Sequence, residues 1–257
     1  MANKIKIFFR YCGFYPTELK NNIKGLKFWL KDKKEFKKQQ YSDFAFQIRP
    51  QLGDRFDDAG IMKGAYFNQD LLIAQKLFEK NPLSHIDIGS RIDGFVAHVA
   101  SFRKIKVYDI RKLEKEFQNI EFEQRNIMNY YPELENSCDS ISSLHAIEHF
   151  GLGRYGDPIC VDGHLIALEN IYKYLKKGGA FYFSVPIGKR QRVEFNAHRI
   201  FSLSYLLNLF EGKYDLSSFS YVDDQGDLHR DITLHKQDIQ TTFHLNYGCG
   251  IFELKKK

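Results

Sequence analysis

The chain is poor in cysteine and lacks any pattern that would give cysteine a role. Only four occur in 257 residues, Cys12, Cys138, Cys160 and Cys249, all far apart and none in a Cys-x-x-Cys pair. That excludes a disulfide framework and a zinc ribbon. Each cysteine reads as a small buried hydrophobe in a reducing cytoplasm. No uncharged apolar run approaches the roughly 20 residues that a membrane helix needs. The opening residues, MANKIKIFFR, break their apolar stretch with Lys6 and Arg10, which predicts no secretory signal. Internal repeats and low-complexity tracts are missing too. Aromatic surface is what the chain has in quantity. Its 23 Phe and 15 Tyr supply ample apolar area for a core and exclude wholesale disorder. At this length one or two domains are expected.

Charge is unevenly distributed. Residues 1–40 carry a net +8, eleven Lys/Arg against three Asp/Glu, so the rest of the chain carries −2 of the total +6. The chain therefore divides into a basic N-terminal arm, residues 1–40, and a nearly neutral body, residues 41–257. Within the arm, residues 21–40 mix Ile23, Leu26, Phe28, Trp29, Leu30 and Phe36 with seven lysines. A basic amphipathic helix of this kind either lies on an anionic membrane at its inner face or docks on the body with its lysines solvated. No Arg-rich stripe or nucleic-acid motif is present, so nucleic acid is not an expected partner.

Residues 41–69 read as irregular, punctuated by Pro50, Gly53, Gly60 and Gly64. Asp70–Lys80 reads as a helix stopped by Asn81-Pro82. The period then changes repeatedly. Strands are expected at His85–Ile88, Ile105–Ile110, Ile120–Gln124, Asp139–Leu144 and Ala180–Val185. Helices are expected at Phe95–Phe102, His164–Lys177 and Phe201–Phe210, the second closed by Lys176-Lys177-Gly178-Gly179 as cationic end and C′ glycine. Tyr214–Val222 and Gly248–Leu254 form a terminal antiparallel pair. Alternating strands and helices imply right-handed crossovers and a doubly wound, mostly parallel α/β sheet. Its ligand belongs beyond the carboxyl ends of the strands, at the switch point.

The most informative segment is His85-Ile-Asp-Ile-Gly-Ser-Arg-Ile-Asp-Gly94. A strand running into Asp87-x-Gly89 makes a turn where backbone approaches a ligand closely. The next strand ends at Asp109, where a carboxylate can accept two hydrogen bonds from a ribose diol. A dinucleotide fingerprint needs glycine two residues after the first; Arg91 stands there, which disfavours a pyrophosphate cradle and a nucleotide-dependent oxidoreductase or epimerase.

This ordered series resembles the class I S-adenosylmethionine-dependent methyltransferases: Asp87/Gly89, Asp109, Asn126 after strand three, Leu144–His149 after strand four, and Leu175-Lys-Lys-Gly-Gly179 before strand five. The resemblance implies a Rossmann-like, seven-stranded sheet with an antiparallel terminal strand. It also implies S-adenosyl-L-methionine as cofactor, gripped by Asp87, Gly89, Asp109 and Asn126 with their neighbours Ser90, Arg91, Ile110, Ile127 and Leu144. Tyr66–Asp70, Asp87–Phe95, Val107–Arg111, His145–Asp157 and Phe195–Arg199 further resemble an uncharacterised family, domain of unknown function number two hundred and sixty-eight, grouped with these enzymes. That likeness covers about residues 45–254 and points weakly to a sugar or surface-glycan hydroxyl as acceptor.

A hydroxyl acceptor needs a base, because its pKa lies far above 7. The loops after strands four and five hold His145, His149 and His198, with His198 and His149 ranked ahead of His145. Glu148 reads as a loop-organising carboxylate or as a partner orienting a histidine. Arg154 and Arg199 read as clamps for a polar, phosphorylated acceptor, with Tyr155, Asp157 and Asn196 beside them; a self-contained Arg154–Asp157 pair is the alternative. His145-x-x-Glu148-His149 matches an inverted zinc-peptidase pattern, but the buried strand before it and Gly151 after it leave no helix to carry a zinc site. No metal is assigned, with a divalent ion at Glu148, His149 or Asp157 left open. The expected activity is O-methylation of a polar small molecule or glycan precursor. A protein that binds the cofactor without turnover is the alternative.

Overall fold

In the computed structural model the described residues are Gly13, 15–39, 46–57, Gly60 and 62–257; Cys12 lies outside them. The chain forms two compact units, Met1–Ile61 and Met62–Lys257.

The first unit contains helix α1, Pro16–Lys38, and a short 3₁₀ turn at Asp54–Phe56. The helix starts earlier than the expected residue 21, because Pro16 suits the first helical turn, where its missing N–H costs nothing. One face of α1 packs on the segment 46–57. A Cβ on Gly25 would overlap the Leu52 carbonyl. Asp32 pairs with Arg55 at 2.5 Å, and Phe28 meets Phe56 edge-on with centroids 6.2 Å apart.

The second unit opens with α2, Ala65–Lys80. Its first turn falls in the stretch expected to be irregular. Tyr66, Phe67 and Asn68 are weak helix formers, and Gly64, at φ +89, sets the start. Asn81, in the left-handed region at φ +39, ends the helix before Pro82. The strands are β1 His85–Ile88, β2 Ile105–Asp109, β3 Ile120–Gln124, β4 Cys138–Leu144, β5 Leu175–Ile187, β6 Arg192–Glu194, β7 His198–Ile200, β8 Tyr214–Val222, β9 Leu228–His229 and β10 Gly248–Lys256. The remaining helices are α3 Ala97–Ala100, α4 Gly163–Tyr174, α5 Leu203–Phe210 and α6 Lys236–Thr241.

The main sheet runs β3-β2-β1-β4-β5-β10-β8-β9. Pairings from β3 to β5 are parallel, while β10 is antiparallel to both β5 and β8. The expected seven strands are eight, because Leu228–His229 pairs with the end of β8. Strand order reverses between β1 and β4, so a crevice opens at their carboxyl ends.

One local expectation fails. Helix α4 stops at Tyr174, and Lys176-Lys177-Gly178-Gly179 lies inside β5 rather than closing the helix. Pairing with β4 begins at Cys138↔Leu175, and the register shift that follows is taken up around Gly178 at φ +76. Lys176-Lys177-Gly178-Gly179 are the extra residues of this irregularity, between the Cys138↔Leu175 and Ser140↔Ala180 pairs. Between β1 and α3, the expected helix at Phe95–Phe102 is split into a π turn, Ile92–Val96, and the short α3.

Both sheet faces are covered. α2 and the Phe95–Val99 segment bury Leu72, Ile73 and Leu77 against Val107, Tyr182 and Ile251. On the other face α4 and α5 bury Ile171, Leu206 and Phe210 against Ile141, Phe183 and Phe252. Phe252 is fully buried, with ring centroids 5.8 Å from Phe183, 5.8 Å from Phe210 and 4.9 Å from Phe219. Phe252→Ala should therefore cost about 3–5 kcal/mol of unfolding free energy in a urea titration, through lost burial and the cavity left behind.

Candidate functional site

β1 delivers its chain into a turn at Gly89, which sits at φ +72. A Cβ there would lie 2.9 Å from that of Ala146, so the position requires glycine on two counts. The Gly89 N–H donates to the Tyr108 carbonyl at 2.9 Å, joining the turn to β2. Below it, the fully buried Asp87 carboxylate accepts from Ser90 N–H at 3.1 Å, Ser90 Oγ at 2.6 Å and Ser142 Oγ at 2.5 Å. Ser90 Oγ accepts in turn from the Leu144 N–H at 3.1 Å. Burial pushes Asp87 up to about 7 against the pull of these hydrogen bonds. Asp87, Ser90 and Leu144, expected to touch a cofactor, are all buried beneath the turn and build it from below.

Above the turn lies a cleft of about 270 Å³, bordered by Gly89, Arg91, Asp109, Ile110, Asn126 and Ile127. Sequence reasoning missed Tyr66, Tyr108, Arg111 and Met128, which line it as well. Tyr66 had one available signal, its place in a motif shared with the resembling family. Arg91 pairs with Asp93 at 2.7 Å and lies 5.2 Å from the Tyr66 ring centre. Asp109 closes β2, yet its Oδ1 accepts from Arg111 N–H at 2.8 Å and Nε at 3.0 Å, and its Oδ2 from Nη2 at 2.6 Å. A carboxylate offers about four lone-pair sites, so one further donor fits without moving Arg111, and a diol giving two bonds must share with it. Asn126 accepts from the Met128 N–H at 3.0 Å, which fixes the loop after β3.

The opposite wall follows β4. His145 leaves the strand in the left-handed region at φ +53, a conformation that costs a non-glycine residue energy and concentrates at functional positions. Its ring is 8% exposed in all and meets Tyr66 edge-on, centroids 5.1 Å apart. His145 Nδ1 faces Glu148 Oε1 at 3.9 Å and Cys249 Sγ at 3.9 Å. Its Nε2 makes no hydrogen bond among the described residues. Burial pushes this imidazole down to about 3, so it is neutral at physiological pH.

Glu148 is 1% exposed, and its Oε2 has no partner. Burial pushes its carboxyl up to about 8, so it holds a proton at neutral pH. His149 Nδ1 lies 2.7 Å from the Ala197 carbonyl, which only accepts, so Nδ1 carries the hydrogen. Its Nε2 then faces Glu148 Oε1 at 3.6 Å. Nδ1 of His149 is thus engaged by the loop, while its Nε2 lies beyond hydrogen-bond distance of Glu148. His198, across the β6–β7 hairpin, has Nε2 3.3 Å from Glu194 Oε2, out of hydrogen-bond alignment. Desolvation keeps it below its ordinary value despite Glu194. His198 is absent from the lining of the cleft. Of the three histidines, His145 and His149 border the cleft.

The expected acceptor clamps have other partners. Arg199 is buried, donating to the carbonyls of Glu148 at 3.3 Å, Phe150 at 2.6 Å and Val161 at 3.0 Å, which ties the loop after β4 to β7. Arg154 donates to the Ala197 carbonyl at 2.8 Å and forms no ion pair with Asp157. Asp157 accepts from the N–H groups of Gly151, Gly153 and Tyr155 and holds the glycine-rich loop together. Asn196 is exposed in the β6–β7 turn. Tyr155, with Arg111 4.5 Å and Arg154 5.2 Å from its ring centre, does border the cleft. His145 and His149 share no helix face, since only a 3₁₀ turn, Ile147–His149, separates strand from loop. The zinc-peptidase geometry is therefore not formed.

The chain matches the model of a family described as "Caenorhabditis protein of unknown function, DUF268" over residues 96–255. It belongs to that family. No curated protein matches it. Among solved structures it is similar to a 1,6-didemethyltoxoflavin-N1-methyltransferase of Burkholderia thailandensis, bound to 1,6-didemethyltoxoflavin and S-adenosylhomocysteine (TM-score 0.54, 13% identity, covering 76% of this chain and 79% of that one). It is also similar to the O-methyltransferase of a trans-AT PKS multienzyme of Brevibacillus brevis in complex with S-adenosylhomocysteine (TM-score 0.51, 16% identity, 75% and 72% covered). The [4+2]-cyclase SpnF shares the fold too (TM-score 0.50, 13% identity, 74% and 80% covered). The fold of this family member is that of the class I S-adenosylmethionine-dependent methyltransferases.

Proposed function

We propose that the chain is an S-adenosylmethionine-dependent methyltransferase acting on a hydroxyl of a polar small molecule, sugars included. The observation that carries this reading is the juxtaposition, across one cleft, of the Gly89 turn and Asp109 with the unengaged Nε2 of His145. The residues fit the cofactor. The backbone at Gly89 has room for no Cβ, Asp109 at the end of β2 would accept from a ribose diol, and Arg91 would pair with the amino-acid carboxylate. When bound, the cofactor supplies an electrophilic methyl on a sulfonium.

The residues of this chain supply the rest. The walls of the cleft align the reactants, an effect potentially worth many kcal/mol. His145, held by its backbone and by Tyr66, takes the hydroxyl proton at Nε2. Glu148 faces the other nitrogen and stabilises the imidazolium once it is ionised. His149 and Arg199 hold the loop that carries Glu148.

Because a [4+2]-cyclase shares the fold, fold alone does not decide the reaction, and ligand binding is the direct test. S-adenosylhomocysteine should raise the melting temperature by several degrees at 100 times its Kd, a stabilisation of about 2.7 kcal/mol. NAD should leave it unchanged. A shift with NAD and none with S-adenosylhomocysteine would overturn the reading.

A further inference from the structure

Helix α1 has two faces, and among the described residues of its own unit only one is packed against another segment. Asn22, Gly25, Phe28, Asp32 and Phe36 look onto the segment 46–57. On the other side Leu19, Ile23, Leu26 and Leu30 recur at i, i+4, i+7 and i+11, the spacing of a single helical stripe. They are 47%, 59%, 43% and 49% exposed. A second stripe runs beside it with the same step: Lys20, Lys24, Lys27, Lys31, Lys34 and Lys38. Among the described residues, only Lys38 of these six has an ion-pair partner, Glu35 at 2.8 Å.

We propose that this face of α1 lies on an anionic lipid bilayer, its leucine-isoleucine stripe sunk to the level of the acyl chains and its lysine stripe against the headgroup phosphates. A soluble partner would have to match an unbroken row of positive charge about five helical turns long with an equally long acidic groove. A charged bilayer matches it everywhere, and the adjacent apolar row is what lets a helix enter the interface rather than hover above it. The helix is too rich in lysine to cross a membrane, and no helix among the described residues is long and apolar enough to do so.

The test is sedimentation of the full chain with vesicles of phosphatidylcholine alone or with about one third phosphatidylglycerol. Expected is binding to the anionic vesicles only, falling at least tenfold between about 0.1 M and 0.5 M salt. Lys24→Glu with Lys31→Glu should lower binding by more than tenfold, at about fivefold per neutralised lysine. Leu26→Glu with Leu30→Glu should abolish it while leaving the melting temperature unchanged. Equal binding to neutral vesicles, or no binding, overturns the proposal. So does undiminished binding of the leucine variant, which would mean adsorption by charge alone. A large fall in that variant's melting temperature, or a wild-type dimer that it dissolves, overturns it as well, since protein would then cover the stripe.

Discussion

Gly89→Val is expected to raise the Kd for S-adenosylhomocysteine by at least 100-fold in a calorimetric titration while the chain stays folded by circular dichroism. Two independent costs combine at this position. Valine at φ +72 pays about 1–2 kcal/mol for the left-handed region. Its Cβ also meets Ala146 at 2.9 Å, an overlap of the kind that costs about 1–3 kcal/mol. Relief comes from shifting the turn toward the cleft or lifting the loop after β4, and either motion disturbs both walls at once. Asp87 sharpens the expectation, because its three hydrogen bonds hold the turn rigidly from below. Wild-type affinity in Gly89→Val would mean that no ligand approaches this backbone.

The second large effect belongs to His145. His145→Asn preserves a residue type that tolerates the left-handed region, so the loop after β4 should keep its course and S-adenosylhomocysteine its affinity. The rate of methyl transfer to any hydroxylated acceptor that the wild type accepts should fall by about 10²–10⁴, the usual worth of a positioned base. The pH profile separates this role from a packing role. Glu148 is pushed up to about 8, so below that value the carboxyl is neutral and gives no support to an imidazolium at His145. The rate should rise as pH climbs through about 8 and then level. Glu148→Gln should remove this limb and leave a slow, flatter profile. A Glu148→Gln variant with the wild-type profile would assign the titration elsewhere.

The strand-helix alternation was legible because central strands and their covering helices must be apolar in characteristic periods. His85–Ile88 and Ile120–Gln124 stand where the pattern put them. Legibility failed where pairing outranks local preference. Lys176-Lys177-Gly178-Gly179 looks like a helix end by composition, yet pairing of Leu175 and Ala180 with β4 on either side makes it an irregularity within β5. The short β9 gave no periodic signal, since two residues are too few to show one.

At the site, Gly89 and Asp109 could be placed from the sequence because they sit at strand ends, which a period predicts. The roles of the charged residues could not be read there. Arg199, Arg154 and Asp157 carry the side chains of a substrate clamp, and the fold engages all three with backbone groups of the neighbouring loops. His145, Glu148 and His149 are one cluster in the sequence. Which nitrogen of His149 carries the hydrogen depends on the Ala197 carbonyl, 48 residues away.

Local sequence, then, determined the layered α/β sheet, the glycine turn, the acid that ends β2 and the basic character of α1, because each follows from short-range sterics, periodicity or charge. Only the tertiary structure decided that Asp87 lies beneath the cleft, that His145 and His149 border it while His198 does not, and that one apolar stripe of α1 is left exposed among the described residues. Those outcomes depend on which distant backbone groups and side chains arrive to satisfy or bury each polar atom, and that is settled by the packing of the whole chain.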